Sequence, residues 1–243
     1  MNADIKNNLK AGDKILLAAG GTGGHMFPAG AVAEQLKAAG YEVHLVTDKR
    51  GMAYVSHLTP MELHQIPAAT VYGGGLFALP LRMVTLLLSL LVSLFLMVRL
   101  RPKVVVGFGG YPSFGPVLAG LLLRRAVLVH EQNAVLGRVN KLAANLGSFV
   151  ATSYNDTANM PASATTKMRR TGNPLRPAVL KAAEGGYRYL ASSRAFELLI
   201  FGGSQGASIF ADIVPKALAL LPSDKKSRLR VVHQARQADM RQT

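Results

Sequence analysis

The chain has 243 residues, 49% of them apolar and none of them cysteine, and it carries a formal charge of +15. That length allows one large domain or one domain with part of another. The missing cysteines exclude disulfide frameworks and thiolate metal sites, and the charge calls for an anionic partner or surface.

In chain order, Lys14–Ala18 reads as a short buried strand, Gly20-Gly-Thr-Gly-Gly-His25 as a glycine loop and 28–39 as a helix with Pro28 in its first turn. The apolar run from Ile15 to Ala19 is too short for a signal-peptide core, so no export signal is expected and the cytoplasm is the default compartment. Gly40 closes the helix and Glu42–Val46 forms the next strand. This βαβ unit predicts a parallel sheet with a right-handed crossover.

Between Leu63 and Asn155 the only acid is Glu131, against eight arginines and lysines. Inside that cationic stretch, Met83–Val98 is sixteen residues without a charge, bracketed by Arg82 and Arg99. A spanning helix needs about 20 apolar residues, whereas basic brackets suit a helix at an anionic headgroup surface. Its all-round apolar surface sets it apart from an ordinary core helix.

The pattern then repeats: a strand at Val104–Val106, a glycine loop over 107–116, a helix at 117–123 and a strand at Val127–Val129. His130-Glu-Gln-Asn133 follows just beyond that strand's carboxyl end, where open α/β sheets bind ligands. A helix over 138–146 and a strand over 149–151 complete this part. Residues 182–196 have the small, polar character of a linker. Beyond it, a strand at Glu197–Phe201, the loop Gly202-Gly-Ser-Gln-Gly-Ala207, a helix over 209–221 and a strand at Leu229–His233 restart the theme. The fold class is therefore α/β: a Rossmann-like parallel-sheet domain in 1–181 and the start of a second in 197–243, whose two strands are too few for a core of their own.

Glycine loops between strand and helix let backbone N–H groups and a helix start face an anion, phosphate above all, or simply satisfy the sterics of a tight turn. Neither loop has the spacing of a nucleoside-triphosphate or dinucleotide fingerprint. His25 ends the first loop, and histidine exchanges protons near neutral pH, so it is a candidate general base or a merely polar helix residue. Glu131 can orient a hydroxyl or pair with Arg138. Gln132 and Asn133 have the donors and acceptors that sugar hydroxyls need, or can cap the helix at Arg138. Arg176 is a candidate phosphate clamp or a solvated surface side chain. Ser204, with Gln205 beside it, can bond a pyrophosphate oxygen, cap its helix, or both. The six scattered histidines, with no carboxylate pair, imply no metal.

Five motifs stand in one order: Gly20-Gly-Thr-Gly-Gly-His25, Gly107-Phe-Gly-Gly-Tyr111, His130-Glu-Gln-Asn133, Gly172-Asn-Pro174 and Gly202-Gly-Ser-Gln-Gly-Ala207. From about Lys14 to about Leu221 the chain resembles the undecaprenyl-diphospho-muramoylpentapeptide N-acetylglucosaminyltransferases of peptidoglycan synthesis. The resemblance implies two facing Rossmann-like domains of the GT-B type, the second cut short here, and transfer of N-acetylglucosamine from UDP to the 4-hydroxyl of a lipid-linked muramoyl-pentapeptide with inversion. It implies that His25 is the base, assisted by Glu131, and that Thr22, Gly23, Gly24, Asn133, Arg176 and Ser204 bind UDP-N-acetylglucosamine. Tyr111, Gln132, Asn173 and Gln205 would be further cleft residues. No cofactor is implied. The enzyme would be peripheral on the cytoplasmic side of the cell inner membrane, meeting an anionic surface through Met83–Val98. The loop Ala69–Gly75 is less basic than the family's. An epimerase of the same fold would share the cleft without a reason for the apolar, cationic segment, and a non-catalytic acceptor-binding module would share the segment without turnover. Nucleic acid is the weakest partner, because the cations bracket an apolar stretch and tryptophan is absent.

Overall fold

The computed structural model describes residues 9–69, 79–186, 196–203 and 206–240. The chain divides into two compact units, Met1–Lys181 and Ala182–Thr243.

In the first unit seven strands form one sheet: β1 (Lys14–Ala18), β2 (Glu42–Thr47), β3 (Glu62–Gln65), β4 (Val104–Gly107), β5 (Ala126–Glu131), β6 (Phe149–Thr152) and β7 (Met168–Arg170), in the order β3-β2-β1-β4-β5-β6-β7. Every neighbouring pair is parallel, with Leu17 opposite Leu45 and Leu128 opposite Phe149. Among the described residues the unit's α-helices are α1 (Gly23–Ala38), α2 (Leu79–Leu100), α3 (Phe114–Leu122), α4 (Arg138–Asn145) and α5 (Pro177–Ala183), the last ending two residues past its boundary, and short 3-10 turns lie between them.

Strand side chains alternate between the faces, and helices cover both. Ile15 and Leu17 pack with Met26, Ala29 and Ala33 of α1, whereas Leu16 and Ala18 join Met97 of α2, Val117 and Ala119 of α3 and Ala143 of α4. Each fully buried Leu or Val contributes about 1.5–3 kcal/mol, so this two-sided core holds the sheet rigid beneath its loops. The order reverses at β1, between β2 and β4, and the loops after β1, β4 and β5 rise at the same carboxyl edge.

Several boundaries differ from the sequence reading. Helix α1 starts at Gly23, five residues before Pro28, which lies within it. Strand β5 extends to Glu131, so His130 and Glu131 belong to the strand and not to the loop beyond it. That shift matters because strand alternation sends the two side chains to opposite faces. The apolar segment is part of a 22-residue helix, α2, about 33 Å long at 1.5 Å per residue. Strands β3 and β7 are edge strands of four and three residues, too short to show a period in sequence.

Helix α2 is apolar on its outward face and turns two serines inward among apolar side chains. Ser89 and Ser93 lie in its buried stripe with Leu86, Leu96 and Met97, and a Cβ on Gly115 of α3 would stand 2.6 Å from Ser89 Oγ. The missing side chain lets the two helices touch. Leu81, Met83, Val84, Leu87, Leu91, Phe95 and Val98 remain exposed. By length and composition α2 is able to cross a membrane, but its buried stripe is committed to the unit's core.

The second unit pairs β8 (Phe196–Ile200) in parallel with β9 (Leu229–His233), and adds α6 (Ser208–Ala219) and α7 (Ser223–Lys226). Among its described residues only Ala211 and Asp239 are buried.

Candidate active site

Three loops at the carboxyl edge of the first sheet build a cavity of about 290 Å³, walled by His25, Tyr111, Glu131, Asn133, Arg138 and Asn140 together with Gly109, Gly110 and Gly137. Glycine is required where the loops close on one another. Gly110 has φ +77, and a Cβ there would lie 2.7 Å from the Gly20 carbonyl oxygen and 3.3 Å from His25 Cδ2. The second glycine loop thus presses against the first and holds the His25 ring.

His25 is the third residue of α1. Thr22 precedes that helix in extended conformation, and its carbonyl accepts the N–H groups of His25 and Met26, both at 3.1 Å. The N–H groups of Gly23 and Gly24 have no acceptor within the helix and carry its positive end. Two guanidinium groups flank this start. Arg176 lies over the Phe27 ring, 4.1 Å from its centroid, and Phe27 meets Tyr54 edge-on at 5.7 Å. Arg50 is held by Asp48 at 2.9 Å, and its Nη2 stands 3.5 Å from where a Cβ on Gly21 would be.

Glu131 is 2% exposed and accepts four hydrogen bonds from neutral donors. These come from Asn133 N–H and Nδ2 at 3.0 Å, Gly137 N–H at 2.8 Å and Asn140 Nδ2 at 2.9 Å. The carboxylate therefore shapes the loop that walls the cavity. Asn133 is bonded to Glu131, while the cap of α4 is Gly137 and takes no side-chain bond. Asn140 Nδ2 also reaches the His130 carbonyl at 3.1 Å, and its buried Oδ1 has no partner among the described residues.

Gln132 links the motifs. Its Oε1 is 3.1 Å from His25 Nδ1, and its Nε2 is 3.0 Å from His130 Nδ1 and 3.3 Å from the His130 carbonyl. His130 is 3% exposed, its ring lies against Phe108, and its Nε2 is 3.0 Å from the Gly172 carbonyl. Burial pushes the His130 imidazole below its usual range, against the opposing pull of the Gly172 carbonyl and of Glu131.

Four of the five motifs therefore meet. Tyr111 is on the cavity wall, and Asn173 is exposed without a contact that ties it to the cavity. Ser204, Gln205 and the loop over 70–75 lie outside the described residues. Arg50 and Asn140 escaped the sequence reading, and His130 was named there only within its motif, with no role of its own. For Arg50 a signal existed, since Asp48 and Arg50 directly follow a strand's carboxyl end.

The family model for the glycosyltransferase family 28 N-terminal domain matches residues 15–152. A UDP-N-acetylglucosamine--N-acetylmuramyl-(pentapeptide) pyrophosphoryl-undecaprenol N-acetylglucosamine transferase of Bartonella tribocorum is 46% identical over 91% of this chain and 58% of its own length. The transferase of the same name from Rhodospirillum centenum gives the same figures. The crystal structure of Acinetobacter baumannii MurG is similar with a TM-score of 0.66 and 26% identity, over 95% of this chain and 62% of that one. This chain thus spans about three fifths of the length of the curated relatives it matches. The glycine loops, the parallel sheet with its switch at β1 and the match over 15–152 agree, and the chain belongs to glycosyltransferase family 28.

Proposed function

We propose that the chain carries the acceptor-binding and proton-accepting half of an enzyme that moves N-acetylglucosamine from UDP to the 4-hydroxyl of undecaprenyl-diphospho-muramoylpentapeptide, with inversion. The observation that carries this reading is His25 on the wall of a 290 Å³ cavity at the switch point of the sheet, with its Nδ1 held by Gln132. The muramoyl oxygen attacks the anomeric carbon, its proton passes to His25, and the bond to UDP breaks as the new glycosidic bond forms. The N–H groups of Gly23 and Gly24 and the charges of Arg176 and Arg50 face the diphosphates. Glu131 assists by holding Asn133 and the rest of its loop against the sugars. Thr22 positions the helix start, and Ser204 is a donor-binding residue by its motif. The chemistry places no demand on a metal, since the leaving UDP is stabilised by N–H groups and cations.

The exposed apolar face of α2, with Arg99 and Arg101 at its end, supports a peripheral position on the anionic cytoplasmic surface of the inner membrane. A lipid-linked acceptor gives that face a purpose that an epimerase lacks. In a chain continued to the length of its relatives, His25→Ala is expected to lower kcat by about 100- to 10,000-fold, the range for one general base, with donor KM little changed. Unchanged kcat removes His25 from the mechanism.

A further inference from the structure

We infer that Gln132 and His130 form a tautomer lock that keeps the proton of neutral His25 on Nδ1 and leaves Nε2 as the proton-accepting nitrogen; this rests on the base role proposed for His25. The assignment follows from two groups that can only accept. The Gly172 carbonyl is 3.0 Å from His130 Nε2, so that nitrogen must carry the proton. Neutral His130 then has a lone pair at Nδ1, which requires a donor from Gln132 Nε2 at 3.0 Å. The backbone carbonyl of His130, 3.3 Å from the same Nε2, enforces that amide orientation, since a flipped amide would set two carbonyl oxygens against each other. With its donor end fixed, Gln132 offers only Oε1 to His25 Nδ1 at 3.1 Å, and an oxygen acceptor demands N–H there.

The lock spans a helix start, a strand and two loops. His25 comes from the start of α1, Gln132 follows β5, His130 is the buried second-to-last residue of β5, and Gly172 is in the segment after β7. Gly172 has φ +76 with nothing within 4 Å of a Cβ, so its glycine serves the backbone turn that presents the carbonyl and not a crowded neighbour. The arrangement does for His25 what a buried carboxylate does in a serine-protease triad, but with an amide and no charge. Gln132 and His130 are positioning residues, because they act through His25.

The test is a two-bond proton–nitrogen NMR correlation on the 243-residue chain labelled with 15N-histidine at neutral pH, with His25→Gln and His130→Gln used for assignment. The expected spectrum shows His25 protonated at Nδ1 and His130 at Nε2, and in Gln132→Met the His25 signal moves toward the Nε2–H form. In a chain continued to the relatives' length, Gln132→Met is expected to lower kcat about tenfold or more, within the ceiling of one general base, at unchanged KM for both substrates. A wild-type His25 protonated at Nε2, or a Gln132→Met chain that keeps the Nδ1–H form, overturns the lock. The expected tautomers together with full turnover in His25→Ala would leave the lock standing and remove the base role alone.

Discussion

Two histidine pairs are built around the same sheet and are wired differently. At the carboxyl edge, His25 and His130 are joined through the Gln132 amide, and a carbonyl closes the chain. On the α2 face near β3, His44 and His64 touch directly, Nδ1 to Nε2 at 3.1 Å, and His44 Nε2 meets Glu42 at 2.9 Å, with Lys14 3.2 Å from the same carboxylate. A pair that ends on a carboxylate can take up a proton and keep its bonds, because His44 then donates from both nitrogens. In the amide-joined pair His130 cannot, since a protonated His130 sets N–H against the N–H of Gln132, and His25 Nε2 is the one place left where a proton breaks no bond. The carboxylate-ended arrangement suits a structural clamp at a strand edge, and the amide-joined one fixes one tautomer beside a cavity.

The sharpest way to break this contrast is to mutate one histidine from each pair. His130→Gln is expected to lower turnover about tenfold or more, while His64→Gln stays within about twofold; equal losses would erase the distinction. Next in size is the exposed face of α2. Leu87 and Leu91 are 56% and 52% exposed on α2, and burying a leucine contributes about 1.5–3 kcal/mol. Leu87→Asp with Leu91→Asp is therefore expected to weaken binding to vesicles rich in anionic lipid by more than about tenfold, measured by co-sedimentation. Equal binding would make α2 an ordinary surface helix.

Acid stability tests the burial of both pairs. His130 and His64 are each held below the ordinary value of 6.5, by burial first, with the charge of His44 next for His64. The unfolded chain then binds more protons than the folded one, so stability is full above about pH 6.5 and falls as pH drops toward the folded-state values. Denaturant unfolding at pH 7.5 and 5.5 is expected to show the loss, with a smaller pH slope in His64→Gln and in His130→Gln. A slope unchanged in both contradicts the burial argument. The smallest effect belongs to Gly172→Ala, where a positive φ alone costs about 1–2 kcal/mol, read as a lowered denaturant midpoint.

Much of the site was legible because each glycine loop announces a strand-to-helix turn, and Gly20–His25, Gly107–Tyr111 and His130–Asn133 do lie together. The lock was not legible. Its bonds join positions 107 and 42 residues apart, and the placement of His130 on one face and Glu131 on the other depends on β5 running two residues further than its apolar core suggests. The early start of α1 was hidden for a similar reason: glycine and proline at Gly23, Gly24 and Pro28 weaken the local helical signal, and tertiary packing of Met26 and Ala29 overrides it. The apolar segment was read correctly as a helix, but only the structure shows that Ser89 and Ser93 turn inward with Leu86, Leu96 and Met97 while Leu87, Leu88 and Leu91 face out.

The most direct measurement is transfer itself. A chain continued to its relatives' length, given UDP with labelled N-acetylglucosamine and undecaprenyl-diphospho-muramoylpentapeptide, is predicted to move the label to the lipid with inverted, β configuration. Label that stays off the lipid, or a UDP-sugar that is epimerised without acceptor, would contradict the account.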